Sequence, residues 1–228
     1  AQLMIDKLIG MIVLVFALLT YLKLRAFKVE KELALAIVRA IIQLMTIAFF
    51  LGIIISIDNP IYTISVLAFM IMFAAYIAKS KVIKVPGLYE PAVIGIFIGS
   101  TLTITYTVFA NIFPLQARFI IPFGSMVIAN AMNSTALALN RYISEVKSNM
   151  DLIESKLALA LPVEIASKPH IRESVRASLI PAISTLESLG LVWIPGTMSG
   201  MILGGADPIW AAQYQLFVSF SILFGDAL

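Results

Sequence analysis

The sequence has no cysteine and one histidine, and only 13% of its 228 residues are charged. Without thiols there is no disulfide scaffold, thiolate nucleophile or iron–sulfur cluster, and one imidazole cannot build a Cys/His zinc site. The scarcity of charge excludes a soluble globular domain, which carries about 25% charged residues. No G-x-x-x-x-G-K-[ST] occurs, so the chain has no P-loop of its own with which to cradle ATP phosphates. What is present is apolar: 61% of residues fall in the AVILMFWYC set, and mean hydropathy is +1.00. A helical span takes about 20 mostly apolar residues, so this length accommodates a bundle of about six to eight. The formal net charge of +3 then reads as a topology signal and not as a nucleic-acid footprint.

Hydropathy windows of about 19 residues give about seven spans, at 3–22, 33–57, 61–78, 91–113, 119–140, 178–205 and 209–228. The sixth is too long and too interrupted to be one plain helix. The first shows no small-residue cleavage site after Tyr21-Leu22-Lys23, so it is expected to be retained rather than removed as a signal peptide. Thirteen of the sixteen Lys and Arg sit in three connections: Lys23, Arg25, Lys28 and Lys31; Lys79, Lys81 and Lys84; and Arg141, Lys147, Lys156, Lys168, Arg172 and Arg176. The alternate side holds only Lys7 and Arg118, and Arg39 alone lies inside a span. Because basic residues collect in cytoplasmic loops, the N-terminus is outside and the loops after spans 1, 3 and 5 are cytoplasmic, as is the chain end. The expected fold class is an all-α polytopic membrane protein, with residues 1–228 forming a single transmembrane domain.

The outside connections are short, and each contains a proline, Pro60, Pro114 or Pro208, that stops one helix and permits the next. The one sizeable segment outside the membrane is the cytoplasmic stretch of about 141–177. Within it Ile143, Val146, Met150, Ile153 and Leu157 recur at spacings of three and four, giving an amphipathic helix that extends span 5 as a stalk. Pro162 and Pro169 bracket a piece only one or two turns long, which predicts a short helix from Pro162 and a second from about Ser167 to Pro169.

Polar groups inside spans are expensive unless they face a bundle interior or water, so they are default functional candidates. Arg39 and Gln43 share one face of span 2, although Arg39 lies near enough to the cytoplasmic end to snorkel or to pair with Glu30 or Glu90. Asn130 and Asn133 on span 5 suit a polar pathway, and interhelical hydrogen bonding explains them equally well. Glu187 falls between Pro181 and Gly190, where a broken helix would free backbone groups to face a cavity. Met126, Met132, Met198 and Met201 are soft thioethers, but no Cys or His joins them, and no metal-ligand cluster or catalytic set is recognisable. Gly196, Gly200 and Gly204 after Pro195 form two tandem G-x-x-x-G units, a packing seam or hinge; Gly95 and Gly99 form a separate pair.

Several stretches carry a family resemblance. They are Arg39-Ala-Ile-Ile-Gln-Leu44; Ile121-Pro-Phe-Gly-Ser-Met126 with Asn130-Ala-Met132; Ile171-Arg-Glu-Ser-Val-Arg-Ala-Ser-Leu-Ile-Pro181; and Gly190-Leu-Val-Trp-Ile-Pro-Gly-Thr-Met-Ser-Gly200, followed by Ala206-Asp-Pro208 and Tyr214-Gln215. In this order, across nearly the whole chain, the sequence resembles the FetB-type ABC transporter permeases, small membrane subunits implicated in iron export, with plant relatives linked to aluminium tolerance. The resemblance implies a homodimeric permease of the cell membrane, exporting iron or another metal or metal complex. It also implies a separate cytoplasmic P-loop ATPase that binds the ATP and Mg, this chain holding no cofactor and no enzyme activity. The short helix near Pro162 would be the coupling helix, with Leu161, Pro162, Val163, Glu164, Ser167, Arg172 and Glu173 meeting the ATPase. Where this chain reads Ala160-Leu-Pro-Val163, the family carries a Gly-Ala-Thr/Ser-Pro-like turn, and family members continue past the last span into a short tail, whereas this sequence stops at Leu228.

Two other classes fit parts of the pattern. Arg39 and Glu187 as intramembrane ionisable groups would suit a gradient-driven carrier or channel, although no convincing inverted repeat accompanies them. A membrane-embedded enzyme would need a nucleophile or an acid–base pair, and only scattered Ser, Glu and one His are available.

Overall fold

The computed structural model describes residues 2–25, 29–82, 87 and 89–228, with side chains from residue 10 onward. Lys28 and Lys84 of the basic clusters lie outside the described residues, as does the side chain of Lys7. The described residues form helices α1 (Gln2–Leu24), α2 (Glu30–Ile57), α3 (Pro60–Lys81), α4 (Tyr89–Phe109), α5 (Ala117–Ser148), α6 (Met150–Ala158), α7 (Val163–Ser188), α8 (Gly196–Leu203) and α9 (Pro208–Ala227). Among them the one β feature is an isolated bridge between Leu189 and Trp193. Four helices, α2 to α5, are long and apolar enough to cross a membrane. The chain is an all-α, multi-pass integral membrane protein.

Two compact units are distinguished, Ala1–Ile57 and Asp58–Leu228. In the first, α2 buries no residue, and Leu14, Phe16, Leu44 and Met45 are largely exposed. Helices apolar on every face are at home in lipid, where such side chains need no protein cover.

The second unit is built around α5, against which α3, α4, α7 and α9 pack. The helix α3 faces inward through Thr63, Leu67, Ile71, Ala74, Ala75 and Ala78, the three-and-four spacing of a helical stripe, while Phe69, Met72 and Tyr76 point outward. Its inner stripe is mostly small, which lets backbones approach, and the Leu67 side chain fills the notch at Gly124 of α5. At one end Phe113 is packed between Phe123 and Tyr214, with ring centroids 4.6 and 4.9 Å apart.

The prolines of the tight turns behave as expected: Pro60 and Pro208 open α3 and α9, with Asn59 and Asp207 as N-caps. Asn59 Oδ1 accepts from the Ile61 amide at 2.9 Å, and Asp207 Oδ1 from the Ile209 and Trp210 amides at 2.9 and 3.0 Å. Asp58, in the left-handed region with φ 44°, accepts from the Ala117 amide at 2.9 Å and so ties the start of α5 to the start of α3. At the opposite ends Asn140 donates to the Lys81 carbonyl at 3.1 Å. The helices α3 and α5 therefore run parallel, with the basic residues Lys79, Lys81, Arg141 and Lys147 at one end.

Between α5 and α9 the structure departs from the sequence reading in two respects. The expected stalk is interrupted: α5 runs on to Ser148, the chain turns at Asn149, and α6 follows as a separate nine-residue helix. Asn149 turns its amide back onto the Glu145 carbonyl at 2.8 Å, a local bond that competes with the helical ladder. The expected pair of short helices after Pro162 is one helix, α7, which contains both Pro169 and Pro181. Its buried stripe Ala166, Ser167, His170, Ser174 and Ser178 crosses Pro169 without a break, so packing against α5 overrides the proline's local cost. Pro162 stands at its N-cap, and no separate coupling helix exists among the described residues.

The sixth apolar stretch is indeed broken. The helix α7 ends at Ser188, Gly190 adopts φ 79°, and α8 has only eight residues. At about 1.5 Å per residue α8 covers about 12 Å, far short of the roughly 30 Å of a bilayer core.

Candidate functional site

The break between α7 and α8 sits beside a cavity of about 380 Å³ formed by α5, α7, α8 and α9. Irregular backbone at membrane depth is tolerated where it lines such a space. From α5 come Met126, Asn130, Asn133 and Ser134, from α7 Ser178 and Thr185, from the turn Trp193 and Pro195, and from α8 Gly196 and Thr197. The last wall is α9, with Gln215, Ser219 and Asp226.

The lining is mostly apolar, with a few amide, hydroxyl and carboxyl groups set into it. Gln215 is 3% exposed; its Nε2 donates to Ser219 Oγ at 3.2 Å, while Oε1 has no partner. Asp226 and Ser134 line the same cavity, and the buried Asp226 Oδ1 has no protein partner. Asn130 Nδ2 donates to the Met126 carbonyl at 2.8 Å, and Thr197 Oγ1 lies 4.0 Å from Met126 Sδ. Buried oxygens without donors are costly in a closed protein and useful where a ligand or water brings the donor. Asp226 is the one charged residue among the described lining residues. No group of three His, Cys, Asp or Glu exists among the described residues, so the cavity is not a prebuilt multi-carboxylate metal centre.

Of the residues singled out from sequence, Met126, Asn130, Asn133, Pro195 and Gly196 meet at this cavity. Asn133 also accepts from Lys81 Nζ at 3.4 Å. Glu187 does not line it: it follows Leu186 by one residue, about 100° round the helix, and is exposed, because α7 stays helical through Pro181. Arg39 and Gln43 belong to the first unit and are exposed there, and Arg39 makes no ion pair with Glu30 among the described residues. The tandem glycines form no crossing within the second unit. A Cβ at Gly196 or Gly200 meets nothing within 4 Å, and one at Gly204 meets only the carbonyls of Gly200 and Met201. The close crossing lies instead at the lesser motif, where Gly99 of α4 faces Gly225 of α9.

At the corner between α6 and α7, Ala160 turns the chain with φ 59°. Leu161, Pro162, Val163 and Glu164 are exposed, and Leu159 and Ile165 extend their apolar surface. Arg172 and Glu173 are exposed further along α7. Ser167 is not available for docking: it is buried and its Oγ donates to the Val163 carbonyl at 2.8 Å. Behind this corner Glu145 of α5 lies 2.7 Å from Arg141 and 3.7 Å from His170 Nδ1 of α7.

Gln215, Asp226, Ser134, Ser178 and Ser219 were not singled out as site residues from sequence. Asp226 was detectable as an ionisable residue within an apolar run. The serines carry no such signal, because a lone serine on a membrane helix is usually satisfied by its own backbone.

The model of a family described as "Uncharacterised protein family (UPF0014)" matches residues 5–228. The UPF0014 membrane protein YjkA of Bacillus subtilis is 32% identical over 225 residues, 98% of this chain and 90% of its own length. The protein ALUMINUM SENSITIVE 3 of Arabidopsis thaliana is 31% identical over 207 residues, 91% of this chain and 75% of its own. The probable iron export permease protein FetB of Escherichia coli is 32% identical over 194 residues, 85% of this chain and 75% of its own. No solved structure matches the chain.

Proposed function

The chain belongs to the UPF0014 family of membrane proteins, and from that premise we propose that it is the membrane-spanning permease subunit of an ABC exporter. In this reading it dimerises and works with two copies of a separate cytoplasmic P-loop ATPase that holds ATP and Mg. The substrate is iron or another metal or metal complex, a class taken from the name of the Escherichia coli relative. The observation that carries the reading is the cavity itself. A largely apolar cavity with a few convergent polar groups, walled by a chain broken at Gly190 and by unpartnered oxygens on Gln215 and Asp226, is what a transport site requires. Amide, hydroxyl and carboxylate oxygens suit hard cations better than soft ones. The exposed corner at 159–165 offers an apolar surface on which an ATPase could seat, at the end that the basic residues assign to the cytoplasm.

Purifying the protein gently from its native membrane and identifying what accompanies it by mass spectrometry tests this reading. Recovery of a stoichiometric P-loop ATPase, with ATP-dependent transport in vesicles, is the expected result. Reproducible absence of any ATPase, with metal transport in ATP-free vesicles driven by an ion gradient, would replace it with a secondary carrier, for which Asp226 is the intramembrane ionisable group.

A further inference from the structure

We propose that Asp226, with Ser134 and Ser178, forms a charge-selecting neck at the cytoplasmic mouth of the cavity, admitting cations and turning back anions. This inference rests on the transport reading above. A second cavity of about 170 Å³ lies beside the first, bordered by Gly95, Ala138, Leu139, Val175 and Leu228. Three residues, Ser134, Ser178 and Asp226, line both spaces. The smaller cavity lies toward the basic end of the second unit: Leu139 precedes Asn140, which bonds the Lys81 carbonyl, and Val175 is one residue from Arg176. That end carries Lys79, Lys81, Arg141, Lys147, Arg172 and Arg176, partly offset by Glu145, which pairs with Arg141, and by Glu173, and the remaining basic surplus favours anions there. Asp226, the one charged side chain lining both spaces, would reverse the preference there, because a charge flanked by apolar walls acts through a weaker dielectric than one in water. One oxygen of Asp226 lies buried without a protein partner, and beyond it Gln215 Oε1, in a residue 97% buried, is likewise unpartnered. A cation passing the neck would exchange water oxygens for these.

The absence of cysteine makes the test direct, since one introduced thiol is the only one in the chain. Ser219→Cys, in the full chain in vesicles with the cytoplasmic face outward, places a reporter in the larger cavity. Its reaction rates with cationic, neutral and anionic methanethiosulfonate reagents are then compared. The cationic reagent is expected to react at least about tenfold faster than the anionic one. Adding Asp226→Asn should bring that ratio to about one or below and leave the neutral reagent's rate unchanged, whereas Asp226→Glu should keep it. Asp226→Ser, which adds no bulk, is read alongside in case the Asn variant is poorly folded. An unchanged ratio in the Asn and Ser variants overturns the neck and leaves the pathway standing. Failure of all three reagents to reach Ser219→Cys would mean a cavity sealed from cytoplasmic water, overturning the neck and the pathway together.

Discussion

Gly99 of α4 and Gly225 of α9 meet backbone to backbone: a Cβ on Gly99 would stand 2.6 Å from the Gly225 carbonyl oxygen. No side chain can yield there, because the obstacle is main chain. Gly99→Ala should therefore cost about 1–3 kcal/mol, as overpacking of a tight core does, and lower the thermal midpoint of the detergent-solubilised protein. Gly200→Ala meets open space and should change stability by less than about 1 kcal/mol, with helix propensity favouring alanine. Equal losses in both variants would contradict this assignment of the crossing.

These two glycines show what the sequence could and could not convey. Hydropathy and proline placement are local quantities, and they marked the apolar helices α2 to α5, the turns at Pro60 and Pro208 and the broken sixth stretch, but not the bounds of α6 and α7. The G-x-x-x-G pattern is also local, but its use depends on what lies opposite, and the stronger motif faces nothing within its unit while Gly99 finds Gly225. The same holds for Pro169, whose propensity signal is outweighed by a buried stripe that only the fold reveals. Asn130 and Asn133 were legible as costly polar groups in a span, whereas their partners Ser134, Ser178 and Ser219 become a site only through the meeting of three helices.

Glu145 of α5 lies 2.7 Å from Arg141 and 3.4 Å from the Asn149 amide, and reaches toward α7 only at 3.7 Å from His170 Nδ1, too long for a hydrogen bond. Glu145→Ala should lower stability by about 0.5–1 kcal/mol, because it removes the ion pair with Arg141 and the longer second bond from Asn149, whose amide keeps the main-chain carbonyl at 2.8 Å. Arg141→Ala, removing a half-exposed partner at the i,i+4 spacing, should cost less than about 0.5 kcal/mol. Chemical or thermal unfolding of the two variants decides the order, and a reversed order would place the dominant contact on Arg141.

The α6–α7 corner offers a separation of binding from folding. Leu161 and Val163 are exposed, so Leu161→Asp and Val163→Asp should leave the thermal midpoint nearly unchanged while abolishing recovery of the proposed ATPase partner on purification. Ser167→Ala is the control: its hydroxyl only shares a carbonyl that the helix already uses, so stability should change by less than about 0.5 kcal/mol and ATPase recovery should persist. Retention of the ATPase by both Asp variants would move the docking surface elsewhere.

Gln215 gives the sharpest division between stability and function. Its Oε1 is buried without a donor, and its one hydrogen bond, to Ser219 Oγ, is 3.2 Å long. In a merely structural position, exchanging this amide for an apolar group of similar size would be close to neutral or stabilising, since the unpaired oxygen is removed with its partner bond. Gln215→Leu should accordingly hold or raise the thermal midpoint. If the oxygen is instead reserved for a cargo that supplies the missing donor or positive charge, the same substitution should reduce transport at least about tenfold, the loss expected when a desolvated polar contact goes unmade. Transport assays in proteoliposomes carrying the partner ATPase, run beside thermal unfolding of the same preparation, measure both quantities together. A variant that is stable and transports normally would remove Gln215 from the pathway.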